Sequence, residues 1–199
     1  MDTQWPRYEV FKQDAPGQPH QNVGTVHAPD PEIALLNARD VFGRRPSCYQ
    51  LWVVPESAIL TVTAEELNSE SVQQALDDAR SNTGAEPLKT WLVFQKTSQK
   101  RSMTFVTHVG ELQASSPQQA LAQAIGQFDR AEVWVWWVCP AEAVTASDPE
   151  VVDSWFTPAN DKIYRQQSYY GNVKRTRLEE REQIAQQLSQ PKPEKEVAQ

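Results

Sequence analysis

The sequence has five imidazole and thiol side chains, groups that can ligate a transition metal or act as a nucleophile or general base: His20, His27, His108, Cys48 and Cys139. Their spacing supports neither role. None of the histidines has a carboxylate three residues before it, so the Glu-x-x-His element of a di-iron helix bundle is absent. The cysteines lie far apart and outside any C-x-x-C motif, which is typical of buried thiols rather than of a metal knuckle or a disulfide framework.

Other catalytic patterns are also missing from the sequence, which has no glycine-rich phosphate loop, no G-x-S-x-G and no H-E-x-x-H. We therefore expect a protein that is not an enzyme and that uses neither a metal nor a cofactor. Residues 1–161 carry 11 basic and 21 acidic side chains, so this part should be repelled by nucleic acid and by anionic lipid. No stretch approaches the roughly 20 apolar residues that span a bilayer, and the N-terminus lacks a basic start followed by an apolar run. We expect no membrane partner and a cytoplasmic location.

The segments that are predicted to form strands and helices occur twice in the chain, at an offset of 83 to 86 residues. The small changes of offset lie in the connections, where insertions cost little. The paired segments are "YEVF" at 8–11 with "WLVF" at 91–94, "VG" at 23–24 with 109–110, Pro31, Ala34, Leu35, Ala38 and Phe42 with Pro117, Ala120, Leu121, Ala124 and Phe128, and "LWVVPESAI" at 51–59 with "WWVCPAEAV" at 136–144. An internal repeat of this length indicates a duplicated structural unit.

Each copy follows the order β-β-α-β. In the first copy "RYEVFKQ" and "NVGTVHA" predict a hairpin with a long loop, and "CYQLWVV" predicts a third strand. Between them Asp30 is placed to cap a helix that begins at Pro31 and ends near Gly43, where a glycine suits a left-handed cap. The predicted core stripe of this helix is Ile33, Ala34, Leu35, Ala38, Val41 and Phe42. The second copy predicts strands at 90–97, 103–113 and 132–139 and a helix at 117–128.

The predicted fold class is α+β, with two tandem ββαβ repeats whose small, mostly antiparallel sheets pack together. The repeats should span residues 1–62 and 88–147, joined by a helical linker at 63–87 in which Thr63 and Glu66 form a capping box. Residues 148–199 form a C-terminal extension with one helix at 176–188 and a partly disordered end. The tryptophans of "EVWVWWVC" point to both sides of their strand, so one side needs a cover from the first copy, the linker helix or another subunit.

The first copy resembles a known family at "WPRYEVFKQ", "HQNVGTVHA", "DPEIALLNARDVFGRR" and "LWVVPESAI". These segments are similar to the B-subunit (PaaB) family of the multicomponent phenylacetyl-CoA epoxidase, also called ring-1,2-phenylacetyl-CoA epoxidase. The resemblance is strong from Trp5 to about Thr61, extends to the second copy only through its apolar residues, and leaves out the tail. Thr25 stands where the family usually has serine. Members of the family are about half as long as this chain.

The resemblance implies a non-catalytic subunit that bridges the parts of an oxygenase. Its partners would be a catalytic di-iron oxygenase subunit and the structural homologue of that subunit, and the substrate would be an aromatic CoA thioester. The tandem arrangement would then be a covalent version of a pair, or would mark a related oxygenase with another substrate.

The two copies differ mainly in polar residues of the helix, because the first copy keeps charges that the second has lost. We expect this polar face, together with three tyrosines of the tail, to bind the partner. The predicted partner-binding residues are His27, Asp30, Glu32, Asn37, Arg39, Asp40, Arg44, Arg45, Tyr164, Tyr169 and Tyr170. The alternative is a solvated helix face whose charges serve local caps, with a tail that is disordered.

Two other classes of function stay open. Paired small α+β units could form a regulatory module that binds a metabolite between the repeats, which a polar-rimmed pocket would favour. Aromatic strands could bind RNA, although the acidic body disfavours it. An independent enzyme ranks last.

Overall fold

The computed structural model describes residues 4–44, 47–81, 87–98, 105–128 and 132–160, and within them the chain has an α+β fold. In chain order the strands are β1 (Arg7–Gln13), β2 (Gln21–His27), β3 (Gln50–Pro55), β4 (Leu60–Thr63), β5 (Lys89–Lys96), β6 (Thr107–Ala114), β7 (Val135–Pro140) and β8 (Thr145–Ala146). The helices are α1 (Pro31–Ala38), α2 (Ala64–Leu67), α3 (Glu70–Ser81), α4 (Pro117–Gln127) and α5 (Val152–Trp155). The predicted β-β-α-β order is present in both halves. The predicted helix at 176–188 lies outside the described residues.

The duplicated glycine and phenylalanine form the same contact in both halves. A Cβ atom on Gly24 would lie 2.9 Å from the Phe42 Cζ atom, and one on Gly110 would lie 2.6 Å from the Phe128 Cζ atom. Both distances are too short for a real Cβ, so only glycine lets each phenylalanine ring lie on its strand. The repeat keeps these two residues because each glycine leaves room for the phenylalanine ring that packs on it.

The two halves share one eight-stranded antiparallel sheet, with strand order β4-β7-β5-β6-β2-β1-β3-β8. The prediction of two small sheets packed together is therefore wrong. The halves join where Gln21 pairs with Thr107. Two hydrogen bonds of 2.8 Å flank this pair, from Asn22 N to Val106 O and from His108 N to His20 O.

The junction relates equivalent residues to each other, because Gln21 and Thr107 occupy the same position in the two copies. The two flanking hydrogen bonds are equivalent in the same way. Adding 86 to the donor Asn22 gives His108, and subtracting 86 from the acceptor Val106 gives His20. A local two-fold axis therefore passes between the repeats. The duplicated sequence folds as a pseudo-symmetric pair within one chain.

Each half also gives its last strand to the other half. Strand β4, from the first repeat, pairs with β7, with Leu60 opposite Val138. Strand β8, from the second repeat, pairs with β3, with Thr145 opposite Val53. These are equivalent pairs, and each covers an edge of the partner half that would otherwise expose unpaired backbone groups. The exchange ties the stability of each repeat to the other.

The sheet has a hydrophobic core on each of its two faces. On one face α1 and α4 each cover their own half, so that Trp136 packs in the cluster under α4. On the opposite face, called here the inner face, both repeats contribute to one cluster that contains Phe11, Phe94 and Trp137. The Phe11 and Phe94 ring centroids are 4.4 Å apart, and those of Phe11 and Trp137 are 6.2 Å apart. The sequence left open whether the first repeat, the linker helix or another subunit covers the second side of the tryptophan strand. On the inner face that cover is the first repeat.

The linker after β4 forms two helices instead of the single predicted one. The predicted capping box is confirmed, because the Thr63 side chain accepts a hydrogen bond from Glu66 N while the Glu66 side chain accepts one from Thr63 N. Helix α2 ends at Leu67, and Ser69 then caps the first turn of α3. Helix α3 packs against α4 and buries Leu76, which is 1% exposed. In the described ranges no helix is both long enough and apolar enough to cross a bilayer.

Candidate docking surface

Helix α1 packs its small residues onto the sheet. The predicted N-cap is confirmed, since the Asp30 side chain accepts a hydrogen bond of 2.8 Å from Ile33 N. Ala34, Leu35 and Ala38 are buried against the first-repeat half of the sheet. The helix then continues as one π-helical turn, Arg39–Gly43.

Gly43 does not form the predicted left-handed cap. Within the described residues only Gly17 and Gly24 have positive φ angles. Gly43 is buried, and a Cβ atom there would lie 2.9 Å from the Phe156 Cε1 atom. The glycine is therefore explained by close packing of the segment after α5, which a local sequence pattern does not show.

The other side of α1 exposes large apolar side chains. Ile33 and Leu36 are each 38% exposed and Val41 is 52% exposed. Trp5, just before β1, is 59% exposed. Ile33 and Val41 were expected in the core, and this expectation is wrong because α1 has apolar residues on both sides and only one side can face the sheet. We call Trp5, Ile33, Leu36 and Val41, with the flanking charges Glu32, Asp40 and Arg44, the α1 surface.

Two of the predicted partner-binding residues connect Trp5 to α1. The His27 Nδ1 atom lies 3.0 Å from the Trp5 carbonyl oxygen. The Asn37 side-chain amide donates to the His27 carbonyl oxygen at 3.2 Å. These two bonds hold the segment before β1 beside the helix, so His27 and Asn37 position the surface from within the chain.

Arg39 and Asp40 are paired with each other. The Arg39 guanidinium donates from Nε and from a terminal nitrogen to Asp40 Oδ1, at 2.9 and 2.7 Å. The guanidinium carbon also lies 5.1 Å from the centroid of the Trp155 ring, a distance at which a cation is attracted to the ring face. Trp155 comes from α5, so a residue beyond the second repeat borders the α1 surface.

Glu32 and Arg44 are the charges of the α1 surface that stay available. Both side chains are exposed, and neither has a hydrogen bond or ion pair within the described part of the chain. They lie near opposite ends of the helix. Four further predicted partner-binding residues, Arg45, Tyr164, Tyr169 and Tyr170, lie outside the described residues.

The same surface does not exist in the second repeat. Ile33, Leu36 and Val41 correspond to Gln119, Ala122 and Gln127. Ala122 is only 6% exposed, because α3 packs against α4 there. Arg39 corresponds to Ile125, which packs against the buried cluster under α3 and α4. One copy of the helix is thus covered by its own chain, while the other presents apolar side chains to solvent.

Comparison with known proteins identifies the family. Residues 4–82, and again residues 88–177, match the family described as Phenylacetic acid degradation B, PaaB. The chain belongs to the PaaB family. The two successive matches confirm the tandem duplication. The B subunit of the 1,2-phenylacetyl-CoA epoxidase of Escherichia coli (strain K12) is 45% identical over 62 residues, which are 31% of this chain and 65% of that relative. The chain thus spans just under two thirds of that relative, and no solved structure gives a significant match.

Burial shifts the pKa values of both thiols and of His20 in this PaaB-family chain. Burial raises the pKa of the Cys48 thiol and of the Cys139 thiol to about 12, so both stay protonated at neutral pH. Burial, and then the nearby His108, lower the pKa of His20 to about 4, so its imidazole stays neutral. Its ring stacks on Trp52 with a centroid distance of 3.4 Å.

A buried carboxylate lies on the inner face beside these rings. Burial raises the pKa of Glu9, and hydrogen bonds from Asn22 and Arg7 oppose that shift. The distances are 2.9 Å from the Asn22 amide and 2.8 Å from the Arg7 guanidinium. Within the described ranges no three or more His, Cys, Asp or Glu side chains are grouped so that they could hold a metal ion. Glu9 is thus a satisfied structural carboxylate in the first-repeat half of the sheet.

Three residues in or beside the α1 surface were not predicted from the sequence: Trp5, Leu36 and Trp155. A signal for Leu36 was present, since the repeats differ in exposed apolar letters as well as in charges. Leu36 becomes Ala122, and its neighbours Ile33 and Val41 both become glutamine. For Trp155 the sequence carried no signal, because its contact with Arg39 depends on the exchange of β8.

Proposed function

We propose that this protein is a non-catalytic structural subunit of a multicomponent di-iron oxygenase that acts on an aromatic CoA thioester, as in phenylacetyl-CoA epoxidase. In this role it binds the catalytic di-iron subunit and the structural homologue of that subunit and bridges them. Membership of the PaaB family and the similarity to an epoxidase subunit from Escherichia coli support the proposal.

The observation that carries the proposal is the α1 surface. Four of the six large exposed apolar side chains among the described residues belong to it, the others being Leu88 and Trp134. Exposed tryptophan and aliphatic side chains in one place, rimmed by charges, are typical of protein-protein contact sites. The copy that is covered by α3 has lost these side chains, which indicates that they are not required for the fold.

The chemistry of the buried groups supports a structural role. A catalytic thiol needs a lowered pKa and solvent access, whereas burial raises the pKa of both thiols here. His20 and Glu9 are buried among partners from the chain itself, Gln50 and Asn22. These groups stabilise the sheet and are poorly placed to meet a substrate.

Co-purification tests the proposal. The full chain is expected to form a stable complex with the oxygenase subunits of its own organism, and the double variant Glu32→Lys/Val41→Glu is expected to lose it. Its matched control is Gln118→Lys/Gln127→Glu, which makes changes at the equivalent exposed positions of α4. Equal recovery of partner with both double variants would contradict docking through α1.

The metabolite-binding module predicts an open, polar-rimmed space between the repeats. On the inner face that region instead holds the contact of Phe11 and Phe94, both less than 2% exposed. The protein's own aromatic side chains fill it, so we favour the structural subunit. Thermal stabilisation of the isolated chain by a small aromatic CoA thioester would reverse this preference.

A further inference from the structure

We infer that the two repeats present one docking surface between them, so that each chain binds a single copy of the partner pair, the di-iron subunit together with its structural homologue. This inference rests on the proposed function and specifies its geometry. A duplicated, pseudo-symmetric chain would be expected to offer two equivalent surfaces, one on α1 and one on α4. Within the described residues the structure offers one, on α1.

The segment that follows the first exchanged strand closes the outer side of α4. After β4 the chain forms α2 and α3, and α3 packs on α4 of the second repeat, with Leu76 in the buried cluster and Leu67 and Val72 packed against it. This contact occupies the place on α4 that corresponds to Leu36 on α1. A partner could reach α4 there only by displacing a helix that buries Leu76 almost completely.

The segment that follows β8 has the opposite effect. Phe156 is buried in the cluster under α1, and Trp155 reaches the rim, where Arg39 lies over its ring. The outward residues Ile33, Leu36 and Val41 stay exposed. In the second repeat the segment after the exchanged strand covers the helix. In the first repeat it leaves the α1 surface exposed and adds Trp155 at the rim.

The composition of the two helices agrees with this difference in cover. Where α4 is covered it has Ala122 and Ile125, which suit a contact with another helix of the same chain. At the equivalent positions α1 has Leu36, an apolar anchor, and Arg39, a residue type that is enriched at contacts between proteins. The sequence difference between the copies thus follows the difference in cover.

The charges of the α1 surface specify the chemistry that the partner must have. Exposed apolar side chains lie along α1 and the π-helical turn that continues it, with Glu32 in the first turn of α1 and Arg44 just after the π-helical turn. Neither charge has a partner in the described residues. A complementary surface has an apolar ridge with a basic side chain facing Glu32 and an acidic one facing Arg44. These opposite charges fix one orientation of the partner pair on the helix.

The test measures stoichiometry with the full chain. The probe is the purified di-iron subunit together with its structural homologue, added in excess and analysed by native mass spectrometry and by light scattering. We expect one copy of that pair per chain. We further expect Glu32→Lys/Val41→Glu to weaken binding about tenfold or more, and Gln118→Lys/Gln127→Glu to leave both stoichiometry and affinity unchanged.

The outcomes separate the inference from the function on which it rests. No complex with the unaltered chain would contradict the proposed function and the inference together. A complex with two copies of the pair per chain, or loss of binding through the α4 variant, would contradict only the single surface. Binding that appears only after residues 161–199 are removed would show that the tail is the occupant of α1, and it would overturn the inference. An intact fold of both variants is checked by circular dichroism.

Discussion

The two helices α1 and α4 occupy equivalent positions on one sheet and meet different surroundings. Both start at a proline behind a capping side chain, Asp30 or Ser116, and both bury a small-residue stripe. Helix α4 then receives α3 on its outer side, whereas α1 keeps Ile33 and Leu36 in solvent. The features that the two helices share are those that the fold requires. The features that differ depend on what each helix contacts.

The difference shows which parts of a duplicated unit both copies keep and which parts can change in one copy. The inner face and the exchanged strands need both copies, so neither copy was free to lose its strands. The outer side of each helix is less constrained. The second copy has Ala122 under a cover from its own chain, and the first copy has the exposed apolar side chains of the α1 surface.

The largest expected effect is on the core that the repeats share. Phe11→Ala and Phe94→Ala should each lower the free energy of unfolding by about 3 to 5 kcal/mol, because each removes a buried ring and leaves a cavity. Both repeats should unfold in one transition in either variant. Chemical denaturation, followed by tryptophan fluorescence and circular dichroism, measures this. Two separate transitions would break the claim that the repeats form one folding unit.

A second comparison separates packing glycines from free ones. Gly110→Ala places a Cβ atom against the Phe128 ring and should cost about 1 to 3 kcal/mol. Gly126→Ala, in α4 with nothing within 4 Å, should instead stabilise the protein by about 0.5 to 1 kcal/mol. Denaturation midpoints of the two variants give the signs. If both substitutions changed the stability in the same direction, the contact of Gly110 with Phe128 would not be what holds the helix on the sheet.

A third comparison uses the pH dependence of stability. His20 can bind a proton, whereas Val106, its equivalent in the second repeat, cannot. The folded pKa of His20 is lowered from 6.5 to about 4, so between these values the unfolded chain binds a proton that the folded chain does not. Stability should therefore fall as pH falls from 6.5 to 4, by on the order of 2 kcal/mol from this group. His20→Gln should flatten the dependence. If the stability of the variant fell with pH as steeply as that of the unaltered chain, groups other than His20 would cause the dependence.

The smallest effects concern the caps, which are alike in the two repeats. Asp30→Ala and Ser116→Ala should each cost about 1 kcal/mol, while Asp30→Asn should keep both the cap and the stability. Partner binding by Asp30→Asn then tells whether the carboxylate has a second role. Weaker binding at unchanged stability would assign Asp30 to docking as well as to capping.

Local features of the fold were predictable from the sequence. Period-two alternation placed β1, Asp30 and Pro31 placed the start of α1, and Thr63 with Glu66 placed the start of α2. Each of these signals lies within a few residues of the structure that it determines. They are short-range because a cap or a strand face depends on its neighbours in the chain.

The features that were missed depend on distant contacts. The pairing of β8 with β3 involves two residues, Thr145 and Ala146, whose partners cannot be chosen from such a short segment. Ile33 and Val41 were assigned to the core because α1 is apolar on both sides. Arg39 and Asp40 bond to each other in the chain, and their contact with a partner stays a prediction.

Hydrogen-deuterium exchange distinguishes the two helices when it is measured on the full chain, alone and with a saturating amount of the di-iron subunit and its homologue. The central claim is that α1 contacts the partner and α4 does not. Amide exchange should slow over residues 31–44 and stay unchanged over Pro117–Gln127 when the complex forms. Equal slowing over both helices, or slowing over α4 alone, would contradict that claim.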